Sequence, residues 1–563
     1  MMQPFRSVRS GALVAGALTL ALAGQGMSPS RAAACGGFFC QSVPMDQAGE
    51  NILFSVEGDG SLTAYVQILY QGEADRFAWI LPLPSVPELE VGTDAIFRGL
   101  GSATQPYFTL RQDVRGTCRS EPSCWYGDDL NASEGAGGRA SDASASADAS
   151  APSPGVTVVL REVVGPYDAV VLSGRSAEEL QTWLRDNGYD IPDASVPILQ
   201  DYATMGYYFV AVRLLSDRET TEIQPLVLRY REGQPCVPLR LTAIATVPDM
   251  PITAYFLADA PAVPTNYSLA EPTFDEAELW TGERGYVSYV SDLVDTLGGR
   301  AFVTDYAGTV PSVYLELPSI DHLRAATTPR EVVQQLVGLG YQGDAQLLSI
   351  LQRVLPPPAG AEPRSFYNCL AQSWCSDYAG YVPDGWSADA MVTAIDEAIT
   401  QPRRRAQALL GAHPTLTRLF TTMSAEEMTF DPTFRIDPGI DPTSNVHEAV
   451  EQIDCGPEYF YWTAPSRWIL PSGRVVPRRE GVAYPGTDEE FCMDRDSGDF
   501  SPWTPVDRLR QTSERRALRI GGGGRCAASP GRADPGLPVV LAALALLARG
   551  HSSSRKRPKS LRS

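Results

Sequence analysis

Apolar and polar residues alternate, imperfectly, through 61–70. Leu62, Ala64, Val66, Ile68 and Tyr70 fall on one side of a pleat, and Thr63, Tyr65, Gln67 and Leu69 on the other. A period of two predicts a half-buried strand. Gly58, Asp59 and Gly60 stand just before it. Glycine reaches positive φ without a steric penalty, so this triplet predicts a turn and makes 51–70 a hairpin. The more apolar run 77–83 is expected to be a buried partner of that hairpin, and Pro82, Pro84 and Pro87 break it up toward its end.

Further along, 91–100 predicts a short helix and 157–172 two strands. The clearest helical period is 173–188: Leu180, Trp183 and Leu184 share a face, Ser176 and Glu179 form a capping box, and Gly188 stands at the stop. Four more strands are expected at 207–215, 223–230, 238–246 and 252–257. Strand, helix and a run of strands predict an α+β fold, an antiparallel or mixed sheet with helices on one face. Beyond residue 267 the pattern turns helical. Thr328 and Glu331 form a second capping box with Pro329 at the first helical position, and Val332, Val333, Leu336 and Val337 follow. Helices are expected at 345–354, 388–400 and 404–410, and Ser424 with Glu427 suggests a third box. The segment 319–429 therefore reads as mainly helical. The stretch 430–510 reads as an irregular, disulfide-stapled region. By contrast 128–155 has almost no large apolar residue and is expected to be a disordered loop within the α+β part.

Several blocks carry a resemblance. DRFAWILPLPSVP, VGPYDAVVL, LQTWLRDNGYDIP, GYYFVAVRL, IQPLVLRY and VPLRLTAIA, with ACGGFFC ahead of them, fall in the order and spacing of an exported bacterial family. That family is the domain of unknown function 2330. The resemblance covers about 34–318 and implies export and a shared fold. It implies no catalytic residues.

The two ends change the picture. Arg6 and Arg9, the apolar stretch 11–23 and Ala32, Ala33 and Ala34 have the layout of a secretory signal over 1–34, with cleavage after Ala34. Cys35 would then come first. Acylation of Cys35 is the weaker alternative, because Ala32 is a poor residue three places before a lipidated cysteine. At the other end, 511–536 is a linker holding four successive glycines and Cys526, and 537–563 is a short apolar segment with a basic tail. The run 537–548 is shorter than the roughly 20 residues of an ordinary membrane span. Glycine-rich linker, cysteine, apolar run and arginine cluster resemble the MYXO-CTERM sorting tail of exported myxobacterial proteins. That resemblance implies processing at Cys526, attachment to the cell surface or outer membrane, and membrane contact before processing.

Composition adds exclusions. The formal charge is −21, and the only lysines, Lys556 and Lys559, lie in the basic tail. A body this acidic repels phosphates, which argues against nucleic acid as a partner. Ten cysteines in an exported chain read as disulfides. Cys35 with Cys40, Cys118 with Cys124, Cys369 with Cys375 and Cys455 with Cys492 are the candidate pairs, leaving Cys236 and Cys526 over.

Candidate chemistry is sparse. No G-x-S-x-G, HExxH, Walker or dinucleotide glycine motif occurs. His447 and Glu448 open like a zincin, but the second histidine is missing, so His447 is read as a loop or capping residue. Asp494, Asp496 and Asp499 have a spacing that calcium favours, yet the glycine is one place early for an EF-hand and no bidentate glutamate follows. Asp431, Asp437 and Asp441, each before a proline, read as turn starters. Tyr70, Phe77, Trp79, Trp183, Tyr207, Tyr208 and Phe209 read as core. The sequence thus predicts no catalytic residue and no cofactor. It predicts an exported, surface-attached protein with a structural or binding role toward an envelope or extracellular partner. A secreted hydrolase or transferase of unfamiliar type and a calcium-stiffened adhesin are the alternatives.

Overall fold

The computed structural model describes residues 46–71, 78–120, 156–189, 191–215, 223–231 and 233–483. The signal segment, Cys35, Cys40, Cys124, Cys492, the loop 128–155, the calcium candidates Asp494, Asp496 and Asp499, Cys526 and the tail lie outside the described residues. The chain divides into two compact units. The first holds Met1–Val114, Asp129–Ile453 and Ser466–Arg478, and the second Arg115–Asp128, Asp454–Pro465 and Arg479–Ser563.

The strands of the first unit, in chain order, begin with β1 (Asp46–Val56), β2 (Ser61–Gln71), β3 (Ala78–Leu83), β4 (Glu88–Val91) and β5 (Tyr107–Arg115). Next come β6 (Thr157–Val164), β7 (Tyr167–Ser173), β8 (Tyr208–Leu214), β9 (Leu226–Arg231) and β10 (Met250–Ala258). The series ends with β11 (Ala262–Pro264), β12 (Ser268–Ala270), β13 (Ala301–Thr309), β14 (Thr415–Met423), β15 (Phe434–Ile436), β16 (Val446–Asp454), β17 (Ser466–Ile469) and β18 (Val475–Arg479). The main sheet is eight-stranded, in the order β12-β13-β14-β10-β1-β2-β9-β4. It is mixed, since β1–β10 and β12–β13 pair in parallel. A second sheet has the order β3-β8-β7-β6, and smaller ones the orders β18-β17-β16-β5 and β11-β15.

Side-chain alternation sorts these strands into layers. Ile52 and Phe54 of β1, Ala64 and Val66 of β2, Leu81 and Leu83 of β3, Val171 of β7 and Val210 and Val212 of β8 share one buried core. The two sheets therefore face each other. Turning each strand by one residue gives the outer faces. Leu53, Tyr65, Val227 and Tyr255 pack under Ile96 and Leu100 of helix Asp94–Thr104 and Ala406 and Leu410 of helix Gln401–Ala412. Ile80, Val170, Leu172 and Phe209 pack under Leu180, Trp183 and Leu184 of helix Ala177–Asp186 and Leu199 of helix Val196–Thr204. The order of layers is helix, sheet, sheet, helix, so each sheet carries helices on one face as expected. Both faces of the main sheet are covered, which explains why the alternation in β2 is imperfect. Each fully buried Val, Leu, Ile or Phe contributes about 1.5–3 kcal/mol.

Helix Pro329–Gly338 and its neighbours Leu347–Val354, Pro363–Ala371 and Ala388–Ile395 bury Val332, Leu336, Ile350, Phe366 and Met391 in a core of their own. Two of the three capping signals mark helix starts. Thr328 Oγ1 accepts the Glu331 N–H at 3.3 Å while the Glu331 carboxylate accepts the Thr327 N–H at 3.1 Å. Ser176 Oγ accepts the Glu179 N–H at 3.4 Å.

Four expectations need correction. Ala78–Leu83 does not extend the hairpin; it pairs with β8 in the second sheet, because the free edge of β2 is taken by β9. The expected strand at 238–246 is a short helix, Leu239–Thr242. There the Arg240 N–H bonds the Asp431 carboxylate at 3.0 Å and is lost to any ladder. Ser424 and Glu427 close a turn rather than start a helix: the Glu427 carboxylate accepts the Ser424 N–H at 2.7 Å, and 428–433 lies outside any helix. The helical stretch ends at Ala412, and Thr415–Met423 is a strand between β10 and β13.

In the second unit, the Cys455 N–H bonds the Arg115 carbonyl at 2.7 Å and the Arg119 N–H bonds that of Tyr459 at 2.8 Å. This backbone zipper sets Cys118 and Cys455 4.6 Å apart at Cα, and they form a disulfide. The pairings of Cys118 with Cys124 and of Cys455 with Cys492 are therefore wrong. Cys369–Cys375 forms as expected. Among the described residues no helix is long and apolar enough to cross a membrane; the apolar run 537–548 lies outside them.

Two outcomes are expected. A non-reducing peptide map links the peptides of Cys118 and Cys455, and a Cys118–Cys124 link would refute the zipper. Gly165 has φ +56°, and a Cβ there would lie 2.5 Å from Val91 Cγ1. Gly165→Ala is expected to cost about 1–3 kcal/mol in chemical denaturation.

Candidate functional site

A cavity of about 250 Å³ opens between the two facing sheets. Ile52 and Phe54 of β1, Ala64 and Val66 of β2, Leu81 and Leu83 of β3 and Leu228 of β9 form its apolar wall. Local sequence accounts for the space. Ala64 is small where its neighbours Leu62 and Val66 are large, and β3 runs into Pro82 and Pro84, which cannot donate to a ladder. Gly233 and Gln234 lie exposed at the rim.

One end is closed by 235–240 and 431–434. The Val237 N–H bonds the Pro432 carbonyl at 3.1 Å and the Phe434 N–H bonds that of Pro235 at 3.0 Å. Asn266 Nδ2 donates to the Asp431 carbonyl at 2.7 Å. Asp431 is thus fixed from both sides, and its carboxylate joins the lining. Tyr202 donates its hydroxyl to one carboxylate oxygen, and the Arg240 N–H donates to the other. Burial raises the Asp431 pKa, and the Tyr202 hydroxyl, the Arg240 N–H and its guanidinium offset that only in part. The Arg240 guanidinium itself bonds Asp201 at 2.5 Å. Asp431, read from the sequence as a turn starter, is instead a half-buried carboxylate facing Tyr202 and Arg240. Asp437 behaves as read, accepting the Gly439 N–H at 2.9 Å.

Cys236 also lines the cavity and carries a free thiol. Burial pushes its pKa far up, and Asp431 adds to the shift. A reactive cysteine needs the opposite, a thiolate favoured by nearby positive charge. Tyr207 and Tyr230 line the wall with hydroxyls held protonated, first by burial. Of the aromatics read as core, Trp79, Trp183 and Phe209 are buried, Tyr207 and Tyr208 are half-buried, and Tyr207 faces the cavity. The side chains of Tyr70 and Phe77 lie outside the described residues.

Two other polar clusters were not visible in the sequence. A β-bulge between Thr304 and Tyr306 turns Asp305 inward against Arg418 of the neighbouring strand. Asp305 Oδ2 and Arg418 Nε are 3.1 Å apart, both buried, yet not aligned for a hydrogen bond. Tyr286 donates its hydroxyl to the other oxygen. Burial raises the Asp305 pKa to about 6, against the pull of Arg418 and Tyr286. Next, Ser55 Oγ lies 2.7 Å from His413 Nε2 and 2.8 Å from the Glu57 carboxylate. Glu57 approaches that same His413 nitrogen at 3.4 Å, and Ser55 is fully buried. A catalytic triad needs the acid on the opposite ring nitrogen and the hydroxyl in reach of substrate. Finally, His447 lies in strand β16 rather than in a loop or cap, with ring centroids 4.0 Å from Phe274 and 5.2 Å from Phe108. Burial lowers its pKa and keeps it neutral.

Among the described residues no group of three or more His, Cys, Asp or Glu is placed to hold a metal ion. The cavity is therefore the candidate site: an apolar chamber with one fixed carboxylate at its end.

The family profile described as an uncharacterized protein conserved in bacteria, DUF2330, matches residues 29–360. No curated protein and no solved structure matches the chain.

Asp305 generates a pH prediction. Its folded pKa is raised, so the native protein keeps a proton that the unfolded chain has released between pH 3.8 and about 6. Its contribution is greatest below that window and is lost as pH rises through it, by up to about 3 kcal/mol. The stability difference between wild type and Asp305→Asn, from urea unfolding at pH 4 and pH 6.5, should shrink accordingly. A constant difference would refute the raised value.

Proposed function

The chain belongs to the uncharacterised bacterial family DUF2330, and we propose that it is an exported envelope protein that binds a small apolar ligand between its two sheets. The observation that carries this reading is the cavity of about 250 Å³, walled by side chains of β1, β2, β3 and β9. A concave chamber of this lining suits capture, since ligand sites are concave and mostly apolar with a few placed polar groups. Export is supported by the signal layout at 1–34 and by the two disulfides among the described residues, since such bonds persist in oxidising compartments. Retention at the cell surface is supported by the MYXO-CTERM-like tail with Cys526.

A hydrolase or transferase is the second reading, favoured by the raised Asp431 carboxyl beside the cavity. Against it, no activated nucleophile is found among the described residues of the chamber, since the Cys236 thiol is held protonated.

Native mass spectrometry of protein purified from its own envelope separates the two. A ligand recovered unchanged at about one per chain, and lost in Ala64→Phe, supports binding. A ligand converted on incubation supports the enzyme. Identical empty spectra for both proteins would sink both readings. The tail has its own check: C-terminal mass spectrometry of surface fractions should find a mature end near Cys526, with release in Cys526→Ala. An intact end at Ser563 with unchanged location would refute the sorting proposal.

A further inference from the structure

We propose that the ligand of this cavity is an aliphatic or ring compound of up to about ten carbons with a single hydrogen-bond-donating head, an alcohol or an amine, and that carboxylic acids are excluded. This rests on the binding reading above and names the class of ligand. The size comes from volume. A dry cavity of about 150 Å³ accommodates benzene; scaled to the 250 Å³ here, that is about ten carbon atoms.

The head group is set by the lining. Among the described lining residues the one carboxylic acid is Asp431, and there is no arginine, lysine or histidine. The nearest cation in sequence, Arg240, is committed to Asp201 and lies over the Tyr202 ring, its Cζ 5.7 Å from the centroid. The Tyr202 hydroxyl, the obvious donor at this end, already gives its proton to Asp431. The Arg240 N–H is spent on the other oxygen. An ionised carboxyl has about four lone-pair sites, so two acceptor sites remain on Asp431 after these bonds. The end of the chamber at Asp431 therefore offers acceptors and no charged donor, and the uncharged hydroxyls of Tyr207 and Tyr230 lie along the wall. An alcohol or ammonium head satisfies it. A carboxylate head would set a second anion beside the half-buried Asp431 with no cation between them, which opposes its binding. The cavity thus selects against fatty acids of the same length that its apolar wall would otherwise accept.

The test is titration calorimetry of the full mature protein at pH 7 with octan-1-ol, octylamine and octanoate. Octan-1-ol and octylamine should bind, with octanoate at least about tenfold weaker. In Asp431→Asn, with its fold checked by near-UV circular dichroism, the three should fall within about threefold of one another. Alkylation of the Cys236 peptide, read by mass spectrometry, should slow when octan-1-ol is bound, which places the probe in this chamber without any variant. Octanoate binding as tightly as the alcohol in the wild type would overturn the ligand class and leave the binding reading standing. So would undiminished discrimination in a folded Asp431→Asn. Failure of all three probes to bind the wild type would overturn the binding reading itself.

Discussion

The main sheet depends on one long-range pairing. β14 lies between β10 and β13, with Ala254 opposite Leu419 on one side and Val303 opposite Phe420 on the other. Without Thr415–Met423 the pair β12–β13 has no connection to the strands that begin at Asp46. Its backbone donors and acceptors are spent on both neighbours, and leaving such groups unpaired inside a two-faced sheet would cost heavily. The helices between β13 and β14 are therefore an excursion out of the sheet and back to it. This also bears on the extent of the fold. The family match ends at residue 360, whereas the sheet needs a strand beyond it. Long-range closure of this kind is slow to nucleate, because loop entropy is lost before the contacts form.

The cavity is a consequence of how two sheets meet. Facing sheets pack best where large side chains interdigitate. Here Ala64 and the prolines at the end of β3 leave the interface unfilled. An empty apolar void forgoes dispersion contacts and hydrophobic stabilisation. The carboxylate of Asp431 adds a second cost, since burial opposes its charge. Two hydrogen bonds to its oxygens and a third to its carbonyl hold it there regardless. A costly group held this firmly beside a void is the pattern of a site, since function is where local rules are broken and offset elsewhere.

Much of the fold was legible because it is local. Ser176 and Thr328 marked helix starts by a chemistry confined to four residues, and the two strands expected at 157–172 formed. The failures share a cause. Thr415–Met423 is strand because it sits between two other strands; its buried Thr417, Thr421 and Thr422 gave no apolar signal. Cys118 and Cys455 lie 337 residues apart, and no spacing rule reaches so far. Arg240 looked like part of a strand until Asp431, distant in sequence, took its N–H. The candidate site was the least legible part. Apolar wall residues resemble any core, and Asp431 before Pro432 looked like any turn. Only Ala64 among larger neighbours hinted at space.

Burial acts on the titratable groups of this chamber in one direction. An acid–base enzyme of this size of chamber needs a carboxyl that can exchange its proton with substrate near neutral pH, and a second group of opposite task. Burial raises the Asp431 carboxyl, which is the direction the first of these asks for. Its neighbours lack the second. Tyr202, Tyr230 and Cys236 are all pushed up together by the same burial, so none is available as a nucleophile or base. That common direction is set by the apolar wall that β1, β2, β3 and β9 place around these groups.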